Sequence, residues 1–171
     1  MTVIQERLLQ YRTGVQLKRN RTERVTIPYS RAKQIGIIWS VEDKVKHDTI
    51  KGLIKKFEQD GKQIQVIEFL PKKKDNYEFR FDFFTEEHVS FWGEINSTGA
   101  LKFSNTEFDY LFYLDATPNP LILNLLARSK AKCRVGRSWA EGYPYFELMI
   151  DSVSNIGTMC ETMYKYATQL R

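Results

Sequence analysis

Short apolar runs alternate along this chain with longer segments in which apolar residues recur every three or four positions. Gln34–Trp39 (QIGIIW), Gln63–Leu70 (QIQVIEFL), Asp109–Leu114 (DYLFYL), Lys132–Val135 (KCRV) and Phe146–Ile150 are runs of the first kind. Runs this short, rich in β-branched and aromatic residues, suit strands buried on both faces of a parallel sheet. Phe79–Phe84 (FRFDFF) alternates instead, with Phe79, Phe81 and Phe83 against Arg80 and Asp82, which is the period of a half-buried strand. Val25–Tyr29 (VTIPY) predicts a short edge strand, because Pro28 has no N–H for an interior ladder.

The intervening segments have helical spacing. Val41, Val45, Leu53, Ile54 and Phe57 share one helical face. Ser40 and Asp43 ahead of them resemble a capping box, and Gly61 ends the segment. Thr85 with Glu86 and Glu87 predicts a short helix with acids on its positive end, and residues 93–107, which carry Gly, Asn and Ser, predict a loop. Thr117 as N-cap and Pro118 in the first turn predict a helix over Pro118–Lys130, apolar on nearly every side. Ile156, Met159, Cys160, Met163, Ala167 and Leu170 form one face of a closing helix. At the other end, Ile4, Leu8, Tyr11 and Val15 make an amphipathic helix, weakened by Gly14. Strand, helix and strand within residues 34–70 make a βαβ unit. The whole alternation predicts an α/β fold: a three-layer Rossmann-like sandwich with a mostly parallel five- to six-stranded sheet, plus an N-terminal basic arm or helix. The expected organisation is an arm over residues 1–24 and a single α/β domain over 25–171.

Composition narrows this picture in two ways. At 171 residues, 42% apolar and 27% charged, the chain has the make-up of one globular domain and not of a disordered one. The net charge of +5 is uneven: residues 1–33 hold eight Lys and Arg against Glu6 and Glu23, while the rest is nearly neutral. Such asymmetry marks a candidate contact with nucleic acid or an anionic membrane through Arg12, Lys18, Arg19, Arg21 and Arg24. The competing reading is a solvated arm, and the segment has no Trp or Phe on its apolar face for membrane anchoring. The sequence has no apolar run long enough for a membrane span and no signal-like segment, so a cytoplasmic protein with free thiols is expected. A weak apolar face on the arm leaves room for a homo-oligomer or protein partner.

Open α/β sheets bind ligands beyond the carboxyl ends of their strands. Ser40, Lys72 to Lys74, Asp115, Thr117, Arg137 and Asp151 fall there. A helix start at Thr117 with Arg137 nearby favours a phosphate or carboxylate, so Ser40, Asp115, Thr117, Arg137 and Asp151 are the candidate ligand-binding residues. The competing reading makes Asp115 and Thr117 turn residues and Arg137 a surface residue. No dinucleotide fingerprint, P-loop or nucleophile elbow is present, and no cofactor is expected. His47 lies among charges in a helix and His88 in the short acidic one, neither in a ligand spacing, and Cys133 and Cys160 are far apart, so no metal site is expected. His88, Asp115 and Asp151 are the candidate general bases. Cys133 and Cys160 fall at apolar positions and read as inert core thiols. The aromatics crowded into residues 77–113 sit among acids, which suits core packing more than nucleic-acid stacking, with Phe91–Trp92–Gly93 the best exposed corner.

Taken in order, RAKQIGIIWS, FDFFTEEHVSFWG, FDYLFYLDAT, KAKCRVGR and FELMI resemble a bacterial family known only as a domain of unknown function, over most of residues 15–165. That resemblance implies a small cytoplasmic α/β protein with no assigned activity. Residues 108–137 also look like the N-terminal half of B-type glycosyltransferases of the heptosyltransferase kind, through Asp115, Leu125 to Arg128 and Arg134 to Gly136. Those enzymes hold the nucleotide sugar on a second Rossmann-like domain, for which 171 residues leave no room, so their catalytic assignments do not carry over. The leading expectation is a non-enzymatic binding or interaction module for a small anion. A transferase-type enzyme and nucleic-acid or membrane association through the arm are the alternatives.

Overall fold

The structure, a computed structural model, describes residues 1–79, 81–151 and 155–170. Its strands are β1 (Gln34–Ser40), β2 (Gln63–Phe69), β3 (Asp82–Phe84), β4 (Tyr110–Tyr113), β5 (Cys133–Arg137) and β6 (Leu148–Ile150). They form one sheet in the order β3-β2-β1-β4-β5-β6, and every neighbouring pair is parallel. The helices are α1 (Val3–Arg19), α2 (Lys44–Gln59), α3 (Thr98–Asn105), α4 (Pro120–Arg128) and α5 (Ile156–Gln169). This is the Rossmann-like α/β sandwich that the alternation predicts.

The two faces of the sheet follow from side-chain alternation. Ile35, Ile37 and Trp39 of β1, with Tyr110 and Phe112 of β4, pack beneath α2 and α5 against Leu53, Phe57 and Met163. Ile38 of β1 and Leu111 of β4 point the other way, into Phe103 of α3, Leu125 of α4 and Phe108. Each such fully buried side chain contributes roughly 1.5–3 kcal/mol. Gly36 lets the second layer close on β1: a Cβ there would stand 2.7 Å from the Phe108 ring and 2.9 Å from Leu111 Cδ1.

The N-terminal basic segment is helical as its spacing allows, but a different face is inside. Thr2 and Gln5 form a capping box, and Leu9 and Thr13 are the buried residues of α1. Ile4 and Tyr11 of the expected apolar face are 60% and 71% exposed. The reason is a narrow, partly polar seat on α4, where Asn124 Nδ2 donates to Thr13 Oγ1 at 2.9 Å. Gly93, at φ 72°, presses against the α1 backbone, and a Cβ would lie 2.6 Å from Leu9 N.

Several predicted boundaries move. Ser40 ends β1 and does not cap α2; Asp43 does, accepting from Lys46 N at 2.8 Å. Val45 is 69% exposed, off the buried face. Residues 25–29 form no strand: Val25 N donates to Lys132 O and Tyr29 N to Leu170 O, two isolated bonds to different neighbours and no ladder, while Tyr110 Oη donates to Ile27 O. The predicted loop over 93–107 contains α3, capped by Ser97, whose Phe103 ring lies 4.8 Å from Phe108. The β-strand predicted over 79–84 is shortened to β3 by a 3-10 turn at Tyr77–Phe79, in which Glu78 has φ 61°; Arg80 and the Phe79 side chain lie outside the described residues. Among the described residues no helix is long and apolar enough to cross a membrane.

Candidate functional site

The sheet order places a reversal between β1 and β4. The chain leaves β1 through α2 on one face and leaves β4 through α4 on the other. The carboxyl ends of these two strands therefore have no crossover above them, which is where doubly wound sheets hold ligands. Ser40 and Asp115 meet at this point.

Asp115 is buried, and its carboxylate is the hub of the site. Oδ1 accepts from Ser40 N at 2.8 Å and from Lys46 Nζ at 2.7 Å, and Oδ2 accepts from Ser40 Oγ at 2.7 Å. Lys46, equally buried, also pairs with Glu42 at 2.6 Å. On the other side Asn119 Nδ2 donates to Ser40 Oγ at 2.9 Å. Asn119 is the N-cap of α4, with its Oδ1 accepting from Leu121 N at 3.0 Å. The helix thus starts two residues after the predicted Thr117–Pro118, because Asn119–Pro120 repeats the same cap-then-proline pattern and Asn119 can also reach Ser40. Tyr113 Oη accepts from Asn119 N at 2.8 Å and donates to Thr117 O at 3.3 Å. Burial, with the nearby Asp115 charge, pushes the Tyr113 phenol well above its ordinary range, so it stays a neutral donor.

Two cavities flank this hub. The larger, about 470 Å³, is lined by Ser40, Asp115, Thr117 and Asn119 on the α4 side. The smaller, about 360 Å³, is lined by Lys46, Ala116, Arg137 and the first turn of α5. Arg137 Nη1 donates to Ala116 O at 2.6 Å, which aims the guanidinium across the crevice. The structure therefore brings Ser40, Asp115 and Thr117 to one cavity and Arg137 to its neighbour. Asp151 follows β6, at the far edge of the sheet, and lines neither.

The site residues that the sequence reading missed are Lys46 and Asn119. Lys46 sits in a helix among Asp, His and Lys, where a lysine reads as solvated. Its one signal is its place in the first turn after the carboxyl end of β1. His47 is the opposite case: read among charges, it is buried against Tyr77 and Phe81 at ring distances of 5.5 and 5.7 Å, because α2 turns that face onto the β2–β3 connection. His88 Nδ1 accepts from Thr85 N at 3.0 Å, in the short 3-10 turn Glu86–His88. Cys133 and Cys160 are buried, and burial pushes their thiols up to about 11 and about 12, which leaves them unreactive.

The basic residues of the N-terminal segment divide. Arg12 is held by Trp92 O at 2.7 Å and Glu94 at 2.9 Å, beside the exposed Phe91–Trp92 corner. Arg24 is held by the carbonyls of Ala131 and Ser129. Lys18, Arg19 and Arg21 are exposed.

A doubly wound parallel sheet with a polar crevice at its switch point defines a Rossmann-like α/β protein. The chain belongs to the family of unknown function DUF6913, whose sequence profile matches residues 5–170. That match runs continuously through α1 and the sheet. No curated protein and no solved structure matches it. The comparisons add nothing to the glycosyltransferase resemblance of residues 108–137.

Proposed function

We propose that the protein is a binding module that takes a small anion, a phosphate or carboxylate group, in the crevice between the carboxyl ends of β1 and β4. The observation that carries this reading is the convergence of two cations from different elements, Lys46 of α2 and Arg137 of β5, on one 360 Å³ cavity at the switch point, whose two acids, Glu42 and Asp43, already accept hydrogen bonds from Lys46. Each keeps donors to spare. An ammonium has three N–H groups, and among the described residues Lys46 gives them to two partners, Glu42 and Asp115. A guanidinium has five, and among the described residues Arg137 gives one, to Ala116 O. The first turn of α5 opens on the same cavity, which adds the positive end of a helix. Binding fits the hub better than chemistry does. Ser40 Oγ gives its proton to Asp115 and accepts from Asn119, and both Asp115 oxygens are engaged, so this set holds no free nucleophile and base pair.

The test is a thermal-shift panel of nucleotides, sugar phosphates and simple carboxylates. A ligand at about 100 times its Kd adds about 2.7 kcal/mol, which raises Tm by roughly 5–10 °C for a domain of this size. A ligand of this crevice loses that shift in Arg137→Ala, whose own stability stays near wild type. Arg137→Ala keeping the full shift for every ligand that binds would sink the assignment, and so would a panel without a single shift.

A further inference from the structure

A third concavity lies at the opposite end of the sheet. It is a trough of about 780 Å³ between the end of α1, the segment that follows it and the end of α4. Arg19, Arg21, Arg128, Lys130 and Lys132 line it, against the carboxylates of Glu23 and Glu107. Lys132 pairs with Asp109 at 2.8 Å. Among the described residues no carboxylate forms an ion pair with Arg19, Arg21, Arg128 or Lys130. The excess positive charge of residues 1–33 is thus joined, through Arg19 and Arg21, to cations contributed by α4 and the approach to β5.

We propose that this trough is a binding site for a ligand carrying several phosphate groups in a row. Like charges gathered in a concavity with low-dielectric walls raise the local potential and draw counter-ions to it. The volume exceeds what one phosphate fills, and the cations come from two stretches of chain, Arg19 and Arg21 on one and Arg128, Lys130 and Lys132 on the other. Arginine forks suit phosphate oxygens, and three of the five cations are arginines. The lining holds no aromatic ring, only Val25 and Ile27 among apolar side chains, so bases have nothing to stack on and the phosphates are what is read. A concave wall does not fit a flat lipid surface. A phosphate chain also carries charge more densely than an acidic peptide, which matters where Glu23 and Glu107 face the ligand.

Fluorescence anisotropy with a short labelled oligothymidylate, and calorimetry with inorganic tripolyphosphate, test this on the full chain. Binding of the oligonucleotide that tripolyphosphate displaces identifies a nucleic-acid backbone as the source of the phosphates. Binding of tripolyphosphate alone identifies a compact oligophosphate. For the oligonucleotide, log affinity should fall with log salt at a slope of about −2 to −3, for three or four phosphates met. The variant R21E/K130E alters two exposed side chains and should weaken binding at least about tenfold at about 50 mM salt. K102E/K165E, which changes net charge equally at exposed lysines outside the trough, should bind as wild type. The proposal is overturned if neither probe binds, if R21E/K130E binds normally, if K102E/K165E loses as much, or if polyglutamate competes as well as tripolyphosphate. Thermal melts of both variants confirm that they are folded.

Discussion

Asp115 and Glu68 are buried carboxylates on either side of β1, and they differ in what they touch. Asp115 follows β4 and accepts from Ser40 N, Ser40 Oγ and Lys46 Nζ. Glu68 lies in β2, in register with Trp39, fully buried, and among the described residues neither of its oxygens has a hydrogen-bond partner. Burial alone pushes its carboxyl up to about 7. Burial without donors disfavours the charged form of a carboxyl, and at Glu68 nothing among the described residues offsets it. His47 and Asn76, also buried, have no side-chain hydrogen-bond partner among the described residues. Among the described residues, the buried carboxylate is therefore met by donors at the switch point, and the buried polar groups near the β2–β3 connection are not. That connection also holds two non-glycine residues at positive φ, Lys73 at 64° and Glu78 at 61°.

The largest effect expected is at Asp115. Asp115→Ala strips Lys46 of its buried partner and Ser40 of two bonds, and breaking a buried pair from one side costs about 3–5 kcal/mol. Urea denaturation at neutral pH measures it. Lys46→Met combined with Asp115→Asn should recover part of the loss, because no buried charge is left over and Asn still accepts from Ser40. A cost near that of an ordinary surface change for Asp115→Ala, below about 0.5 kcal/mol, would mean that the hub is not formed.

At Glu68 the sign reverses. The unfolded chain releases this proton near the ordinary value of 4.5 and the folded chain near 7. Between those values the native state binds more proton than the unfolded state, so stability is full below about pH 4.5 and is lost as pH rises toward 7. Glu68→Gln removes that loss. The variant should match wild type at pH 4 and exceed it by roughly 3 kcal/mol at pH 8. A difference that does not change with pH would show Glu68 to be partnered in solution, and would erase its contrast with Asp115.

How far the sequence revealed this contrast follows from the kind of signal each residue carries. Asp115 stands out because it ends an apolar run, and a polar residue just past a buried strand lies at the ligand-holding end of the sheet. Glu68 is hidden for the converse reason: it is one acid within QIQVIEFL, where alternation allows an outward-facing side chain, and only the pairing of β2 with β1 and β3 covers it. The parallel α/β sandwich was legible in periodicity, since strands and helices each carry their own repeat. The strand order was not, because pairing between β1 and β4 joins residues 75 positions apart, and no local pattern records it. Lys46 and Asn119 stayed hidden because helix interiors tolerate lysine and because two cap-then-proline pairs stand side by side. α3 was missed because its single turn-forming cap, Ser97, sits among the Gly, Asn and Ser that otherwise mark a loop.

A third carboxylate falls between the two extremes and yields the smallest change. Asp109 precedes β4, at the other end of the strand from Asp115. Its Oδ2 accepts from Lys33 N at 2.8 Å and Gln34 N at 3.0 Å, and its Oδ1 from Lys132 Nζ at 2.8 Å. Burial works against its ionisation, but the bond from Lys132 and the two backbone N–H groups outweigh it and hold the carboxyl below its ordinary range. Lys132, unlike Lys46, has a side chain 40% exposed, so water already screens the pair. Asp109→Asn keeps an acceptor for the backbone and strands no buried charge, and should cost about 1–2 kcal/mol at pH 7. A carboxyl lowered on folding contributes stability above its unfolded value near 4, and that contribution drains as pH falls through the folded one. The gap between wild type and Asp109→Asn should therefore close from pH 7 to pH 3; the Glu68→Gln gap also closes in acid but has the opposite sign, since there the variant is the more stable protein at high pH. Two urea midpoints for each protein are enough to read both trends. If the Asp109→Asn gap widened in acid, the donors at the amino end of β4 would not be stabilising a charge, and burial would dominate there as it does at Glu68.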